Sequence, residues 1–420
     1  MNAPYLLFSD KQGKIYSHTF LKMSGSLLNE LHSPQEYELI PAPSGTTFFY
    51  LPYSYPFGYN PSTKRYEKLE RFEGKRIYPV AAFLPPSYLR LYNPAAYFEK
   101  KKKKLPLWAY TACGLYGGKF MIAAKKIDKR IRQAPGFYNN KIIEKNANIF
   151  LKKHPDNRLY KHLFNCALNY NCLAAKNLFM QRWEAPLPVA RFCNAGCLGC
   201  LSYQDSSCDA SHQRITFRPK LSEAVELMEN HLKKAKEPIV SFGQGCEGEP
   251  LLEADLIAES IKKVRQKTQR GTININTNGS IPEKIKDLCK AGVDSFRISL
   301  NSPEEKFYNI YFRPKNYSFS DLIRSIKIIK KQKKFVSLNL FIFPGFSDSK
   351  QQINELVDFL KKVNIDMIQW RNLNIDPNYY VSKIGSNNLQ PTGVMNLVDT
   401  IRKNFPKIKM GYFNLPKEKF

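Results

Sequence analysis

The sequence predicts an α/β protein whose carboxyl-terminal half is a partial, TIM-like barrel of six βα units. Two observations lead to this prediction. From about residue 186 onwards, short apolar runs alternate with amphipathic stretches of helical length, whereas residues 1–100 carry strand-like runs separated by Pro and Gly. Parallel neighbouring strands need crossover connections, and successive right-handed crossovers curl a sheet into a full or partial barrel.

The first 185 residues are predicted to form two parts. Residues 1–120 are expected to be a β-rich domain of unknown role, with strands in YLLFSDKQGKIYSHTFL and TTFFYLPYSYPFGYNPST. Residues 121–185 are expected to be a basic helical segment and linker. Its predicted helices lie in KFMIAAKKIDKRIRQ, NKIIEKNANIFLKKH and LYKHLFNCALNYNCLAAKNLFMQRW, and EAPLP (184–188) is the predicted linker.

Residues 186–420 are predicted to form the (βα)6 barrel. The six expected strands are PVARFC, IVSFGQ, TININTNG, SFRISLN, SLNLFIF and DMIQWRNL. The expected helices between and after them lie in KLSEAVELMENHLKKAKE, LLEADLIAESIKKVRQKT, IPEKIKDLCKAG, SDLIRSIKIIKKQKK, QQINELVDFLKKVN and PTGVMNLVDTIRKNF. In such folds the functional groups lie at the carboxyl ends of the strands.

Composition narrows the class of protein. Hydrophobic residues make up 43% of the 420-residue chain, which is enough for a sizeable core. The longest apolar runs fall far short of the roughly 18–20 residues that span a bilayer, and the amino terminus has no secretory pattern. We therefore expect no membrane partner and a cytoplasmic location, where clustered cysteines bind metals more often than they form disulfides.

The chain is strongly basic, with a formal net charge of +29. The excess is dense in residues 101–185, which hold 18 basic and 4 acidic residues, including the run Lys101 to Lys104. Such a field favours polyanions, notably RNA, or an acidic protein. The alternative is that the basic runs are only solvated faces of helices.

Three of the nine cysteines lie close together in ARFCNAGCLGCLSYQ (190–204), as Cys193, Cys197 and Cys200. Three thiolates from one loop can hold a soft metal centre. A zinc site would want a fourth ligand, which Cys208 or His212 could supply. A four-iron cluster held by three cysteines would instead leave one iron open for a ligand. The spacing alone leaves both possibilities open.

The following predicted strand ends carry glycines and small polar residues. The second ends in VSFGQGCEGEPLL (240–252), which contains Gly248, Glu249 and Pro250, and the third ends in NTNG (276–279). The fourth and fifth end in RISLNS and FPGFSD. Glycine lets backbone approach a ligand closely, and a carboxylate can accept from an ammonium group. These ends suit a ligand with an ammonium group, a ribose and a purine.

A Cys-X3-Cys-X2-Cys motif on the first strand, followed about fifty residues later by Gly-Glu-Pro, resembles the radical S-adenosylmethionine (SAM) superfamily over roughly residues 186–376. The resemblance implies a [4Fe-4S] cluster on Cys193, Cys197 and Cys200, whose fourth iron binds SAM. It also implies a one-electron reductant of the flavodoxin or ferredoxin type. The implied SAM contacts are Gly199, Gly248, Glu249, Pro250, Thr277, Asn278, Ser299, Asn301 and Gly345.

Gly199 departs from the family pattern, because the residue before the third cysteine is often aromatic in that family and lies against the adenine. Here only backbone contact is available at this position. The activity that the resemblance implies is reductive cleavage of SAM to methionine and a 5′-deoxyadenosyl radical, which abstracts a hydrogen atom from the substrate. The cofactors carry this chemistry, while the protein positions them and excludes water.

Two residues are candidates for substrate chemistry. Cys246 lies three residues before Glu249 and is expected to face the site, as a radical relay or group acceptor, unless it only fills a tight turn. Arg371 lies in the polar run IQWRNLNIDP at the end of the sixth predicted strand. It is either a satisfied barrel residue or a clamp on the substrate.

Three functional readings follow. The first is a radical SAM enzyme that acts on a macromolecule, RNA or a protein, which the amino-terminal half recognises. The second is a radical SAM enzyme of small-molecule or natural-product metabolism, whose amino-terminal half only caps the barrel. The third is a non-catalytic, zinc-containing RNA-binding protein. The run CEGEPL (246–251) is similar to the GxGEPL run of radical SAM RNA methyltransferases, but no cysteine follows Cys289, so methyl transfer through a carboxyl-terminal cysteine is not expected.

Overall fold

A computed structural model describes residues 3–99, 103–204, 208–385 and 389–420. Two residues of the basic run, Lys101 and Lys102, lie outside the described residues. Within the described part of residues 1–126, the regular structure consists of short strands and one 3-10 turn at Glu36–Glu38. The strands are β1 Tyr5–Ser9, β2 Ile15–Lys22, β3 Gly25–Leu27, β4 Glu30–His32, β5 Leu39–Pro41, β6 Thr47–Tyr50, β7 Ser54–Asn60, β8 Arg65–Lys68, β9 Arg71–Phe72, β10 Lys75–Arg76, β11 Tyr78–Phe83, β12 Tyr88–Arg90, β13 Asn93–Pro94, β14 Ala96–Phe98, β15 Tyr110–Thr111, β16 Cys113–Tyr116 and β17 Lys119–Lys126.

Most of these strands join one antiparallel sheet, whose main path runs β12-β17-β16-β1-β2-β7-β14. The predicted hairpin at the amino terminus is confirmed, since β1 pairs with β2 with Ser9 opposite Ile15. The prediction of a helix over KFMIAAKKIDKRIRQ is wrong. Its first eight residues form β17, which pairs with β16 after a turn at Gly117 and Gly118, both at positive φ. The helix-favouring Ala and Lys residues are outweighed by strand pairing on both edges of β17.

Three helices lie between the β-rich region and the barrel: α1 Asn140–Lys153, α2 Arg158–Leu168 and α3 Leu173–Phe179. Asn139 and Asn157 cap α1 and α2 by accepting from backbone N–H groups in the first turn. The single long helical stretch predicted over 159–183 is therefore two helices. The apolar faces of α2 and α3 belong to the same hydrophobic core as the barrel.

The barrel sheet contains seven parallel strands in sequence order. They are β18 Arg182–Pro186, β19 Lys236–Phe242, β20 Thr272–Thr277, β21 Ser295–Leu300, β22 Phe335–Ile342, β23 Met367–Asn372 and β24 Lys409–Gly411. The helices that flank them are α4 Leu221–Lys234, α5 Ala254–Lys267, α6 Pro282–Ala291, α7 Glu305–Phe312, α8 Phe319–Lys331, α9 Lys350–Val363, α10 Pro377–Ile384 and α11 Val394–Asn404. The predicted α/β fold, a partial barrel after a β-rich region, is confirmed.

The start of the barrel differs from the prediction. EAPLP is not a linker, because residues 184–186 belong to β18, which pairs in parallel with β19. PVARFC is not a strand, and the cysteines follow β18 on a long loop. The predicted boundaries at residues 120 and 185 fall inside β17 and β18. The division into three units stays a prediction.

The β-rich region packs on the barrel near the carboxyl ends of β22 and β23. Buried Arg90 donates through Nη2 to the carbonyl oxygen of Leu373 (3.0 Å) and through Nη1 to that of Tyr110 (3.0 Å). Asn93 donates to the carbonyl oxygen of Pro344 (3.2 Å). The region therefore covers part of the barrel edge where functional groups are expected.

Candidate active site

A cavity of about 350 Å³ opens at the carboxyl ends of the barrel strands. Its walls come from the loops after β18, β19, β20 and β23, from residues of β21, β22 and α7, and from the β-rich region, which contributes Phe83, Leu84 and Ala109. Most residues singled out in the sequence reach it. Those that line the cavity are Cys193, Cys197, Gly199, Cys200, Gly248, Glu249, Thr277, Asn278, Ser299 and Arg371.

The entry to the cysteine loop is fixed by Glu247, a residue that sequence reasoning missed. Its buried carboxylate accepts from the backbone N–H groups of Val189 (2.8 Å), Ala190 (2.9 Å) and Gly243. Burial raises the pKa of Glu247 to about 8, although these three donors favour the ionised form. One carboxylate thus ties the start of the loop to the turn that follows β19.

The same turn meets the cysteine loop through backbone pairing. The N–H of Gly248 donates to the carbonyl oxygen of Ala190 (2.7 Å), and the N–H of Glu249 donates to that of Phe192 (2.9 Å). A Cβ at position 248 would lie only 1.9 Å from the Phe192 oxygen. Glycine at 248 is therefore needed for this close approach.

Glu249 faces the cavity from the other end of the turn. Its side chain accepts from the Thr277 hydroxyl, the Asn278 N–H (2.9 Å) and the Leu251 N–H (3.1 Å), and Pro250 follows as the first residue of a short 3-10 helix. Burial raises the pKa of the Glu249 carboxyl to about 7. The ends of β19 and β20 are thus joined by one buried carboxylate.

The far side of the cysteine loop rests on α7, a helix that the sequence analysis did not predict. The N–H groups of Gly196 and Leu198 donate to the carbonyl oxygens of Phe312 (2.9 Å) and Tyr311 (2.9 Å). A Cβ on Gly199 would lie 3.0 Å from the Tyr311 hydroxyl oxygen. The Tyr311 side chain on α7 therefore lies beside Gly199, the loop position that has no aromatic side chain of its own.

The three loop cysteines are half-buried and free. Burial raises the pKa of the Cys193 thiol to about 11 and that of Cys197 well above its ordinary value. Arg214, which sequence reasoning also missed, donates through Nη2 to the Cys200 sulfur (3.3 Å). A cation from outside the cysteine motif therefore lies beside one of the three sulfurs.

The spacing of these thiols bears on the kind of metal centre. Within the described part of the chain, Cys193, Cys197 and Cys200 are not among the groups whose ligand atoms all lie within 4.8 Å of one another. Around a single tetrahedral zinc ion, with Zn–S of about 2.3 Å, the sulfurs would lie about 3.8 Å apart. A wider set of thiols around one cavity fits a cluster of several metal atoms.

Four predicted site residues do not line the cavity: Cys246, Pro250, Asn301 and Gly345. The expectation that Cys246 faces the site is wrong: it is buried on the opposite side of its turn, beside Cys166. Asn301 lies off the cavity and donates to the Phe307 carbonyl oxygen (3.0 Å). Gly345, at φ +90°, packs against the β-rich region, where its Cβ would lie 2.4 Å from the Leu28 nitrogen.

The floor of the cavity carries two arginines. Arg297 on β21 donates to Gln369 on β23 (3.1 Å), and the Arg371 guanidinium stacks on the Tyr412 ring at 3.9 Å from its centroid. In both, the buried Nε has no hydrogen-bond partner among the described residues. Burial, together with the neighbouring Arg371, lowers the pKa of Arg297 to about 9. Two incompletely paired guanidinium groups thus face one space.

Comparison with known proteins bears on this arrangement. Residues 187–360 match the family model of the Radical SAM superfamily. This part of the chain is a radical SAM domain. Members of that superfamily are enzymes, and the domain implies a [4Fe-4S] cluster and SAM as cofactors. The loop thiols and the cavity described above fit these groups.

A curated relative is an uncharacterized protein of Methanocaldococcus jannaschii, 30% identical over 172 residues. The match covers 39% of this chain and 57% of that protein, so the chain spans little more than half the length of this relative.

The chain also shows low-identity likenesses to solved structures. Methylornithine synthase is 14% identical with a TM-score of 0.40, over 64% of this chain and 77% of that one. Streptococcus suis SuiB bound to S-adenosylmethionine is 16% identical with a TM-score of 0.39, over 64% and 63%. A radical SAM methyltransferase from Sphaerobacter thermophilus is 13% identical with a TM-score of 0.39, over 55% and 65%. Among the described residues of this chain, no helix has the length and apolarity to cross a membrane.

Proposed function

We propose that the chain is a radical SAM enzyme in which Cys193, Cys197 and Cys200 hold the [4Fe-4S] cluster and the adjoining cavity takes SAM. One observation carries the proposal: the three loop thiols line the same cavity as the turn that bears Glu249. When bound, the cluster and SAM supply reductive cleavage, yielding a radical that abstracts hydrogen from the substrate. A one-electron donor of the flavodoxin or ferredoxin type would feed the cluster.

We propose that different residues of the chain bind different groups of SAM. We assign the ammonium group to the Gly248–Pro250 turn, where a buried carboxylate gains its ionised form when a cation binds beside it. Thr277, Asn278 and Ser299 offer hydroxyl and amide groups to the ribose or carboxylate from the next two strand ends. Tyr311 and the backbone at Gly199 lie where an adenine ring could pack.

We propose further that the substrate is a small molecule with an anionic group, bound by Arg297 and Arg371. Both guanidinium groups line the cavity, and neither forms an ion pair within 4.0 Å among the described residues. A buried arginine and a half-buried one, neither with a carboxylate within 4.0 Å among the described residues, favour a carboxylate or phosphate ligand. Phe83, Leu84 and Ala109 from the β-rich region narrow the cavity, which favours a small substrate over RNA or a protein.

The cofactor assignment is tested by anaerobic reconstitution with iron and sulfide, followed by mass-spectrometric measurement of 5′-deoxyadenosine under reducing conditions. Cys197→Ala should abolish 5′-deoxyadenosine formation, and Cys289→Ala, which removes a buried thiol on α6, should retain it. Wild-type yield from Cys197→Ala would refute the assignment of the cluster ligands. A colourless protein that holds stoichiometric zinc on this loop would refute the enzyme proposal.

The substrate is tested by adding cell extract divided by size. The low-molecular-mass fraction should raise 5′-deoxyadenosine formation above the level without substrate, and Arg371→Gln should reduce that rise. Arg402→Gln, which alters an exposed arginine on α11, is the matched control and should not. A rise caused only by the macromolecular fraction, and abolished by nuclease or protease, would instead support an RNA or protein substrate. A phosphatase-treated fraction separates phosphate from carboxylate substrates.

A further inference from the structure

A second group of side chains that can serve as metal ligands lies outside the cavity, around Cys246. It consists of His162, Cys166 and Cys246. One ligand atom from each lies within 4.8 Å of the other two, and all three residues are buried. Histidine nitrogen and cysteine sulfur are the ligands that zinc prefers.

The fold explains why these three meet. His162 and Cys166 are four residues apart on α2, so they share one face of that helix. The helix packs beside α4, and its face turns toward the loop that follows β19, where Cys246 lies. The group therefore joins the helices before the barrel to the turn that borders the cavity.

The observed geometry suits a tetrahedral ion. His162 Nε2 and Cys166 Sγ are 3.5 Å apart. In a tetrahedral site with Zn–N of about 2.05 Å and Zn–S of about 2.3 Å, the nitrogen and sulfur are about 3.6 Å apart. The pair thus needs almost no movement to hold one ion. Cys193, Cys197 and Cys200 lack this compact spacing, so the two sets of cysteines differ in kind.

We propose that His162, Cys166 and Cys246 bind one Zn²⁺ ion, separate from the radical SAM cavity. Binding displaces the thiol protons of Cys166 and Cys246, so two thiolates and a neutral imidazole hold the ion. Cys172 is the proposed fourth ligand. Its backbone N–H donates to the Cys166 carbonyl oxygen (2.9 Å), but its sulfur lies outside the group of atoms within 4.8 Å of one another, so its side chain must move to reach the ion.

The ion would have a structural role. Cys246 lies one residue before Glu247, which anchors the cysteine loop, and two before Gly248, which pairs with it. A metal that fixes Cys246 to α2 therefore holds that turn from the side opposite the cavity. The proposal does not depend on the substrate or on the assignment of the loop cysteines.

The test uses the full chain carrying Cys193→Ala, Cys197→Ala and Cys200→Ala, so that none of these three thiols contributes to metal binding. This chain, purified anaerobically, should hold one equivalent of zinc by elemental mass spectrometry. Replacing zinc with Co²⁺ should give thiolate-to-cobalt charge-transfer bands. Adding Cys166→Ser or Cys246→Ser should remove the bound equivalent, Cys172→Ser should weaken the bands, and Cys289→Ser, at a buried thiol on α6, should change neither.

Several results would overturn the proposal. They are a chain that holds no zinc, cobalt spectra without thiolate bands, and undiminished metal in the Cys166→Ser variant. An intact mass that shows a Cys166–Cys246 disulfide in the anaerobically purified chain would also overturn it. If the serine variants fail to fold, the cobalt spectrum of the chain that carries only the three loop alanines decides whether thiolates bind the ion. Undiminished bands in Cys172→Ser would remove Cys172 from the ligand set.

Discussion

Replacing Gly248 with alanine should separate the cysteine loop from the turn after β19. A Cβ at this position would lie 1.9 Å from the Phe192 oxygen and 2.5 Å from the Phe192 carbonyl carbon. An ordinary contact begins at 3.4 Å, so the two backbones must move apart by roughly 1.5 Å. Both neighbours are backbone atoms, which cannot turn aside as a flexible side chain can.

The size of the effect follows from the bonds that such a movement breaks. The loop and the turn share two backbone hydrogen bonds, from Gly248 to Ala190 (2.7 Å) and from Glu249 to Phe192 (2.9 Å). Leaving a buried donor or acceptor without a partner costs about 1–3 kcal/mol. We therefore expect Gly248→Ala to lower the free energy of unfolding by roughly 2–5 kcal/mol. It should also displace Cys193, the next residue after Phe192, and so reduce the iron and sulfide bound per chain.

Two other glycines supply matched controls on the loop itself. At Gly196 an added Cβ would meet only Arg313 side-chain atoms at 3.7 Å and beyond, so Gly196→Ala should leave stability and iron content unchanged. At Gly199 the added Cβ would lie 3.0 Å from the Tyr311 hydroxyl oxygen, so alanine there should have an intermediate effect. Urea unfolding and iron analysis of the three variants test this order. Wild-type stability and iron content in Gly248→Ala would refute the reasoning.

Two further predictions concern stability. Burial opposes ionisation of the Glu223 carboxyl, but hydrogen bonds from Arg158 outweigh burial and lower its pKa from 4.5 to about 2. The ionised carboxylate therefore stabilises the folded state fully above about pH 4.5, and this stabilisation is lost as the pH falls towards 2. Glu223→Gln should cost roughly 2–3 kcal/mol of unfolding free energy at pH 7, about two-fifths of that at pH 3 and little at pH 2. A pH-independent difference in urea unfolding would contradict this. Arg90→Met should leave the carbonyl groups of Tyr110 and Leu373 unpaired and lower the free energy of unfolding by roughly 2–4 kcal/mol. Limited proteolysis of the β-rich region should then be faster. An unchanged rate of proteolysis would argue that Arg90 does not hold this region on the barrel.

The sequence predicted the barrel well because its elements carry strong local patterns. Strands such as β20 and β22 are short β-branched and apolar runs, and α9 shows clear helical periodicity. The errors lie where partners decide the structure. The strand β17 is rich in Ala and Lys, but it pairs with β16, β12 and β5. Likewise β18 contains a proline and looked like a linker, yet it is the edge strand of the parallel sheet, where proline is tolerated.

The same distinction holds for the site. Cysteine spacing and the Gly-Glu-Pro turn are local patterns, and all of their residues except Pro250 line the cavity. Asn301 and Gly345 were placed by position after a strand end, but the contacts of each with distant elements turn it elsewhere. Arg214 lies on the same long segment as the cysteines but outside their motif, and Tyr311 lies on α7, far along the chain, so the cysteine spacing could not reveal either.

The turn after β19 shows how one short segment can serve two neighbours. Glu247 and Gly248 bind the cysteine loop on the cavity side, whereas Cys246 faces α2 on the other. A displacement of α2 would therefore move the start of the cysteine loop through three consecutive residues, Cys246, Glu247 and Gly248. If zinc holds Cys246, then removing the ion should loosen the same loop that Gly248→Ala disturbs, from the opposite side. Zinc-free protein should accordingly take up less iron on reconstitution than zinc-loaded protein, while equal uptake would show that the two sides of the turn are independent.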